Sequence, residues 1–195
     1  MTAYGQETSS DPVNPRKFEG LYIGVNTGVQ SIFSEAIINE SSIPQQASRW
    51  TADFLIAHRW QFLNDRIVFG LEVQVGMADG DLDRTFGTNP GLAISFANST
   101  QVGVGYTFGY VIGKQKKLLL YSYLYQVRRS FNITLRDDTR ILLWQQDSQT
   151  VLRYGLGLEY NLSKHFSTRL GLGSQRGKSN FNETAEVTIG LNYQF

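Results

Sequence analysis

The chain has 195 residues, no cysteine, and 18 Lys and Arg residues against 17 Asp and Glu. The near balance of charge argues against a nucleic-acid partner, and the lack of cysteine excludes a disulfide framework and thiolate metal or redox sites. Glycine is frequent, at 19 residues, as are Tyr at 10 and Phe at 12. This composition suits aromatic strands interrupted by glycine better than it suits helices.

Apolar and polar residues alternate along most of the chain, and this period of two predicts β-strands. The eight predicted strands are residues 18–30, 49–62, 66–78, 99–111, 117–129, 150–162, 165–175 and 185–195. Each has one face of large apolar side chains. On the fifth strand, we assign to that face Leu119, Tyr121, Tyr123, Tyr125 and Val127.

Short and long connections alternate strictly between these strands. The short ones are residues 63–65, 112–116 and 163–164, and the long polar ones are residues 31–48, 79–98, 130–149 and 176–184. This order predicts an up-and-down arrangement with the short turns and both termini at one end. Within the third long connection, the segment RILLWQQ is predicted as the returning strand of an extended hairpin.

The face opposite the large apolar side chains carries most of the glycines and no Lys among its charges. Glycine is a poor residue for an exposed strand but fits a crowded, narrow lumen. Aromatic residues gather beside the short turns, where an interfacial girdle belongs. We therefore predict an all-β fold, an eight-stranded antiparallel up-and-down transmembrane β-barrel over residues 18–195, in preference to a water-soluble β-barrel or sandwich.

The N-terminal segment has a different character. Residues 1–17 show no strand pattern and are predicted to be a disordered or periplasmic extension. They have no basic n-region and no apolar h-region, so they do not form a signal peptide. If the protein is exported, this sequence is expected to be the form that remains after a signal peptide is removed.

The inward face is predicted to carry a balanced set of charges, which we call the lumen network. Its predicted members are Asp53, Arg59, Glu72, Arg128, Arg153, Glu159, Arg169 and Glu186. An eight-stranded barrel is just wide enough for side chains to fill, and unpaired charges there would be costly, so ion pairs across the lumen are expected. The network is then either a polar plug that stabilises the barrel or the lining of a gated or leaky pore.

The last strand alternates up to the final aromatic residue, through Val187, Ile189, Leu191, Tyr193 and Phe195. This pattern resembles the C-terminal signal of bacterial outer-membrane proteins. From Phe18 onward, the chain resembles the small outer-membrane β-barrel family typified by the OmpA membrane domain and the Opa-like porins. The segments that carry the resemblance are FEGLYIGVNTGV, HRWQFLNDRIVFGLEVQVG, YGLGLEYNLSKHFSTRLGLG and EVTIGLNYQF.

The resemblance implies a location in the bacterial outer membrane. It also implies lipid and lipopolysaccharide as surroundings and the barrel-assembly machinery as a partner during biogenesis. Members of the family include passive structural barrels, narrow pores, adhesins and lipid-modifying enzymes. The lumen network is therefore most simply interpreted as that of a structural barrel with a largely plugged interior, or at most a narrow passive pore.

Two other functions remain open. Apolar residues in the long connections, among them Phe33, Ile37, Leu142 and Trp144, are candidates for docking a protein or lipopolysaccharide. A lipid A-modifying enzyme is disfavoured, because the C-terminal stretch that would carry its Ser has no His to act as base. With His58 and His165 as isolated histidines, no catalytic residue, metal site or cofactor is expected.

Overall fold

The computed structural model describes residues 17–38, 41–79, 82–86, 92–137, 140–177 and 183–195. These residues form nine antiparallel strands: β1 (Gly20–Ile38), β2 (Ser41–Phe62), β3 (Ile67–Asp79), β4 (Leu82–Phe86), β5 (Leu92–Ile112), β6 (Leu118–Asp137), β7 (Arg140–Asn161), β8 (Phe166–Gly177) and β9 (Glu183–Gln194). Within the described ranges, no helix is long and apolar enough to cross a membrane.

Eight of these strands close into a barrel. Each pairs with its neighbours in chain order, β3 pairs with β5, and β9 returns to pair with β1. The remaining strand, β4, pairs only with the start of β5 and stands outside the ring. The closure confirms the predicted eight-stranded antiparallel β-barrel.

The two ends of the chain meet at the seam between β1 and β9. Tyr22 lies opposite Gln194 in the antiparallel register. The backbone N–H of Phe195 donates to the carbonyl of Leu21 at 3.1 Å. The final strand therefore completes the hydrogen bonding of the first, as a spanning sheet without free edges requires.

The short turns lie at the predicted positions. In the first, Leu63, Asn64 and Asp65 all have positive φ, between 49° and 60°. The chain then re-enters the barrel wall as the backbone N–H of Arg66 donates to the carbonyl of Phe62 at 3.0 Å. Among residues other than glycine, Asn and Asp adopt left-handed backbone most easily, which explains two of the three residues used.

The first three long connections are mostly strand within the described residues, which corrects the prediction of the first two as loops. β1 and β2 remain paired as far as Ile38 and Ser41, and β6 and β7 as far as Asp137 and Arg140. The prediction that RILLWQQ returns as a strand is confirmed. β7 has 22 residues, about twice the ~9–11 that a tilted strand needs to cross a bilayer. These hairpins therefore extend beyond the membrane.

The polarity of the barrel is inverted relative to a water-soluble protein. Large apolar side chains on every barrel strand face outward and are 39–64% exposed, whereas Arg, Glu and Gln side chains are buried inside. On β2, the outward band runs from Trp50 to Phe62. At about 3.3 Å per residue and a tilt near 40°, this stretch spans roughly 30 Å, which is the thickness of the hydrocarbon core.

The orientation of β6 differs from the prediction. Leu119, Tyr121, Tyr123, Tyr125 and Val127 face inward, with exposures of 0–7%. The outward positions are the even-numbered ones, such as Leu120 at 44%. Both faces of LLLYSYLY are apolar, so the alternation alone could not decide which face met the lipid. The aromatic face was wrongly assigned outward because the aromatic faces of the other strands are outward.

Candidate functional site

The lumen holds seven of the eight side chains predicted for its charge network. Their exposures are 0–5%, and they are Asp53, Arg59, Glu72, Arg153, Glu159, Arg169 and Glu186. The exception is Arg128, which is exposed and faces outward on β6. Its Nη2 donates to Ser148 Oγ on β7 at 3.3 Å. The neighbouring Arg129 is the residue that enters the lumen, at 6% exposure. This error follows from the misassigned face of β6.

Four of the charges form one layer near the short turns, which we call the lower layer: Arg59, Glu72, Glu159 and Arg169. Arg59 bridges two carboxylates, with Nη1 at 2.9 Å from Glu159 and Nη2 at 3.1 Å from Glu72. Arg169 Nη1 lies 3.3 Å from the second oxygen of Glu72. The layer is charge-balanced, with two arginines and two glutamates.

Hydroxyl groups complete the coordination of this layer. The Tyr125 hydroxyl donates to Glu72 Oε2, and the Ser167 hydroxyl donates to Glu159 Oε1 at 2.6 Å. Arg169 Nε donates to the Tyr121 hydroxyl at 3.0 Å. The Arg59 guanidinium also lies 4.6 Å from the centre of the Tyr22 ring, within cation–π range. Both carboxylates are therefore held by several donors each.

The upper layer lies closer to the long hairpins than the lower layer does. It consists of Asp53, Arg153 and Glu186. Arg153 Nη1 is 2.9 Å from Asp53 Oδ2, and its Nε is 2.6 Å from Glu186 Oε1. Tyr123 donates its hydroxyl to Glu186 Oε1 at 3.1 Å, and Gln175 donates to the other oxygen of Glu186 at 3.0 Å. Arg153 is thus the single cation between two carboxylates.

The ion pairs join opposite walls of the barrel. Around the ring, β2 and β7 are separated by three strands on either side, as are β3 and β8. The Arg59–Glu159 and Asp53–Arg153 pairs both connect β2 to β7, and Glu72–Arg169 connects β3 to β8. These side chains therefore cross the full width of the lumen rather than lining its wall.

Glycines on β7 and β8 make room for the tyrosines of β6. Tyr121 lies in register with Gly157, which pairs in turn with Gly171 on β8. A Cβ at Gly157 would overlap the Tyr121 ring, and one at Gly173 would overlap the Tyr123 hydroxyl. The inward glycines were predictable from the alternation, whereas the tyrosines that occupy the space were wrongly predicted to face outward.

An apolar cluster, which we call the apolar floor, lies in the lumen at the short-turn end. Phe18 is 0% exposed and clusters with Val68, Val111 and Leu119. Its backbone N–H donates to Gln61 Oε1 at 3.1 Å, and Asn161 Nδ2 donates to the carbonyl of Lys17 at 3.0 Å. Among the described residues, Lys17 is thus already in contact with the barrel, and residues 1–16 lie outside the described part of the chain.

The candidate C-terminal signal occupies one outward stripe of β9. Val187, Ile189, Leu191 and Phe195 are 45–64% exposed. Tyr193 contacts the rings of Phe166 and Phe195, with centroid distances of 5.2 and 5.1 Å. The stripe thus ends in an aromatic cluster at the short turns.

Of the docking candidates, Leu142 and Trp144 stand exposed on the β6–β7 hairpin, at 53% and 63%. The backbones of Phe33 and Ile37 lie in β1, but their side chains lie outside the described part of the structure. Within that described part, no group of three or more His, Asp or Glu side chains is arranged to hold a metal ion.

Comparison with known proteins agrees with this geometry. A family model for the outer membrane protein beta-barrel domain matches residues 11–195. The chain belongs to this family. Its outer-membrane location follows from that membership. Comparison with curated proteins gives no match.

Solved outer-membrane barrels share the fold of this family member. Neisserial surface protein A is similar with a TM-score of 0.54 and 10% identity, covering 91% of this chain and 98% of that one. Ail, the attachment invasion locus protein of Yersinia pestis, is similar with a TM-score of 0.50 and 17% identity, covering 91% and 99%. At these identities the likeness extends to the fold alone.

Proposed function

We propose that this outer-membrane barrel is a structural protein whose lumen is closed by its own side chains. The observation that carries the proposal is the set of ion pairs that connect opposite walls, Arg59–Glu159, Asp53–Arg153 and Glu72–Arg169. Side chains that meet across the lumen occupy the path that an ion or solute would take. A pore lining would instead leave its charges along the wall.

The apolar floor supports the same function. Phe18, Val68, Val111 and Leu119 fill the section below the lower layer with side chains that are 0–1% exposed. Water and ions would have to pass this section as well as the two charged layers. Moving a charge through it would require removal of its hydration shell, which is costly. The floor and the two layers are therefore three successive barriers.

The network is also expected to be hard to open. Each buried carboxylate contacts more than one donor, so moving one arginine exposes a second charge that loses its partner. Removing one member of a buried ion pair typically costs about 3–5 kcal/mol. A spontaneous switch of partners that opens a path is therefore expected to be rare.

The accessibility of an introduced cysteine tests whether the lumen is closed. The chain has no native cysteine, so only the introduced thiol can be labelled. Thr107 is a lumen side chain at 3% exposure, and Gln115 is exposed in a short turn. In folded protein, Gln115→Cys should react fully with a charged, water-soluble maleimide, and Thr107→Cys should not react. Comparable labelling of the two variants would contradict a closed lumen.

A second candidate function rests on the β6–β7 hairpin. Ile141, Leu142, Leu143 and Trp144 are 49–63% exposed, and they lie about ten residues beyond the part of β7 that can cross the bilayer. Exposed apolar side chains at such a place, outside the lipid, are typical of interaction surfaces. The hairpin is therefore a candidate docking surface for an extracellular partner.

A photo-crosslinking residue at Trp144 tests this second function in the native outer membrane. Reproducible crosslinking to one protein, lost when Leu142 is changed to Ser, would support docking. The same crosslinker at Tyr110, which faces outward near the short turns at 49% exposure, provides the control and should capture lipid. If Trp144 also captures only lipid, the hairpin is not a protein-docking surface.

A further inference from the structure

A cavity of about 350 Å³ lies at the short-turn end of the barrel, between the start of β6, the β7–β8 turn and the end of β9. Three lysines from separate parts of the chain line it, namely Lys17, Lys117 and Lys164. Leu162 and Phe195 line it as well. This cavity, which we call the lysine cavity, therefore combines ammonium groups with an apolar edge.

The walls of the lysine cavity are connected by hydrogen bonds. Asn161 joins two of the lysine positions, because its Nδ2 donates to the carbonyl of Lys17 at 3.0 Å and its backbone N–H donates to the carbonyl of Lys117 at 2.9 Å. The turn that carries the third lysine is attached to β9, where the backbone N–H of Gln194 donates to the carbonyl of His165 at 2.7 Å. The backbone positions of all three lysines are therefore fixed before a ligand binds.

The ammonium groups of the lysine cavity differ from that of the neighbouring Lys116. Lys116 Nζ lies 3.1 Å from Asp65 Oδ2 and forms an ion pair. Lys17 Nζ instead donates to a neutral backbone carbonyl of the second short turn at 2.6 Å. Within the described residues, Lys117 and Lys164 form no ion pair. Because an ammonium group has three donors, these side chains have N–H groups available for a ligand.

The lysine cavity lies where the barrel meets the lipid. Leu162 and Phe195 continue the outward bands of β7 and β9, and they are 57% and 64% exposed. The Phe195 ring also contacts Tyr193 in the aromatic cluster at the short turns. In outer-membrane barrels the short turns face the periplasm, so the leaflet beside the cavity is the periplasmic one. A lipid there can place its headgroup against the lysines while its acyl chains stay in the bilayer.

We propose that the lysine cavity binds the phosphate group of an anionic phospholipid from the periplasmic leaflet. Lysine ammonium groups are compact point charges that bind phosphate oxygens, and basic residues at a membrane surface attract anionic lipids. Leu162 and Phe195 contact the adjoining part of the acyl chains. The headgroup of a zwitterionic lipid carries its own positive charge, so the cavity is expected to prefer phosphatidylglycerol to phosphatidylcholine.

Two other anions compete for the same place, and each has a distinct consequence. Free inorganic phosphate offers the same oxygens without hydrocarbon, so it would bind in the absence of lipid. An anion of the chain itself, from the carboxylate of Glu7 or Asp11 or from the main-chain carboxylate of Phe195, would already satisfy the lysines. The protein would then show no preference for an anionic lipid.

Native mass spectrometry of the full chain tests the site. The protein is released from a non-ionic detergent that contains equal amounts of phosphatidylglycerol and phosphatidylcholine with identical acyl chains. Wild-type protein should retain one phosphatidylglycerol per barrel, and Lys164→Gln should weaken this retention about fivefold, as expected for the loss of one lysine near a phosphate. The matched control is Lys114→Gln, which removes an exposed lysine of the second short turn that does not line the cavity. It should retain the lipid as wild type does.

Three results would overturn the proposal. One is a wild-type protein without preference for phosphatidylglycerol. Another is an equal loss in Lys164→Gln and Lys114→Gln, which would mean that the total charge of this end attracts the lipid. The third comes from thermal unfolding without phospholipid, at constant ionic strength. Inorganic phosphate should leave the wild-type Tm unchanged, and a saturating rise that Lys164→Gln abolishes would assign the cavity to free phosphate.

Lys117→Gln provides a second, independent variant. Its folding, like that of Lys164→Gln, is checked by heat-modifiable mobility before the lipid measurement. Because Lys117 lines the same cavity from the start of β6, this variant should also lose retained phosphatidylglycerol about fivefold. Retention equal to that of wild type would contradict a site that is shared by the lysines.

Discussion

Glu72 is the residue on which the lower layer converges. Its two carboxylate oxygens accept from Arg59, Arg169 and Tyr125, which come from three different strands. A carboxylate that is 1% exposed can stay ionised only if its lone pairs are used in this way. The Tyr125 hydroxyl therefore stabilises the charge of Glu72, and the role of this residue is not limited to packing.

Tyr125→Phe tests that role. The change should lower the free energy of unfolding by about 1–3 kcal/mol, because Glu72 loses a donor that water cannot replace inside the lumen. Urea unfolding of the protein refolded in lipid vesicles provides the measurement. Tyr106→Phe removes a hydroxyl from an outward tyrosine at 47% exposure, and it should change stability little. Equal effects of the two changes would show that Glu72 does not depend on Tyr125.

At the scale of elements, β6, β7 and β8 form a unit in which the large side chains of β6 lie over glycines on the next two strands. Tyr123 on β6 faces Gly155 on β7, which pairs with Gly173 on β8. The tyrosine reaches over both glycines to donate to Glu186 on β9 at 3.1 Å. The arrangement needs both residue types, because the tyrosine side chain fits only where the neighbouring strands carry glycine.

Gly173→Ala tests this complementarity. Its Cβ would overlap the Tyr123 hydroxyl, so the tyrosine must move and Glu186 loses a donor. We expect a loss of about 1–3 kcal/mol in unfolding free energy, typical of overpacking. Adding Tyr123→Phe removes the overlapping oxygen, so the double variant should be more stable than the sum of the single effects predicts. Strict additivity would mean that the two residues do not compete for the same space.

The stripe on β9 has a separate, kinetic role in our account. We propose that Phe195 and the outward residues before it are recognised by the barrel-assembly machinery during biogenesis. Phe195→Ser should then reduce the amount of assembled barrel in cells much more than it reduces the stability of the folded protein. Phe62→Ser, which alters an outward aromatic at 51% exposure near the same end, is the control. A similar loss of assembled protein from both changes would argue against a specific signal.

Much of this element structure was predictable, and the failures have identifiable causes. Strict alternation located all eight barrel strands, and on strands such as β2 it separated Asp53 and Arg59 from the lipid-facing side chains. It failed on β6, where Leu120 and Tyr121 are both suited to lipid and only the neighbouring strands decide between them. It also did not predict that Phe18 lies inside the lumen, because insertion of a terminal segment into the lumen leaves no periodic signal. The extensions of β1, β2 and β5 beyond the bilayer were predicted as loops because residues there need no alternation of apolar and polar side chains.

For the whole molecule, the three levels of the lumen have a common consequence. The apolar floor, the balanced lower layer and the upper layer follow one another inside the barrel, and the ion pairs connect β2 to β7 and β3 to β8. These ion pairs therefore connect the barrel wall from inside, in addition to the backbone hydrogen bonds between its strands. The surfaces available to lipid or to another protein therefore lie outside the lumen. They are the outward band and the hairpins beyond the bilayer.

Single-channel recording tests the closed lumen most directly. Wild-type protein, shown to be folded by its heat-modifiable mobility, is inserted into a planar bilayer beside a Glu72→Gln variant. We predict that the wild-type protein gives no steady conductance above the lipid baseline. Steady or gated wild-type conductance that Glu72→Gln alters would contradict the account, because the interior charges would then line an ion path and the protein would act as a pore.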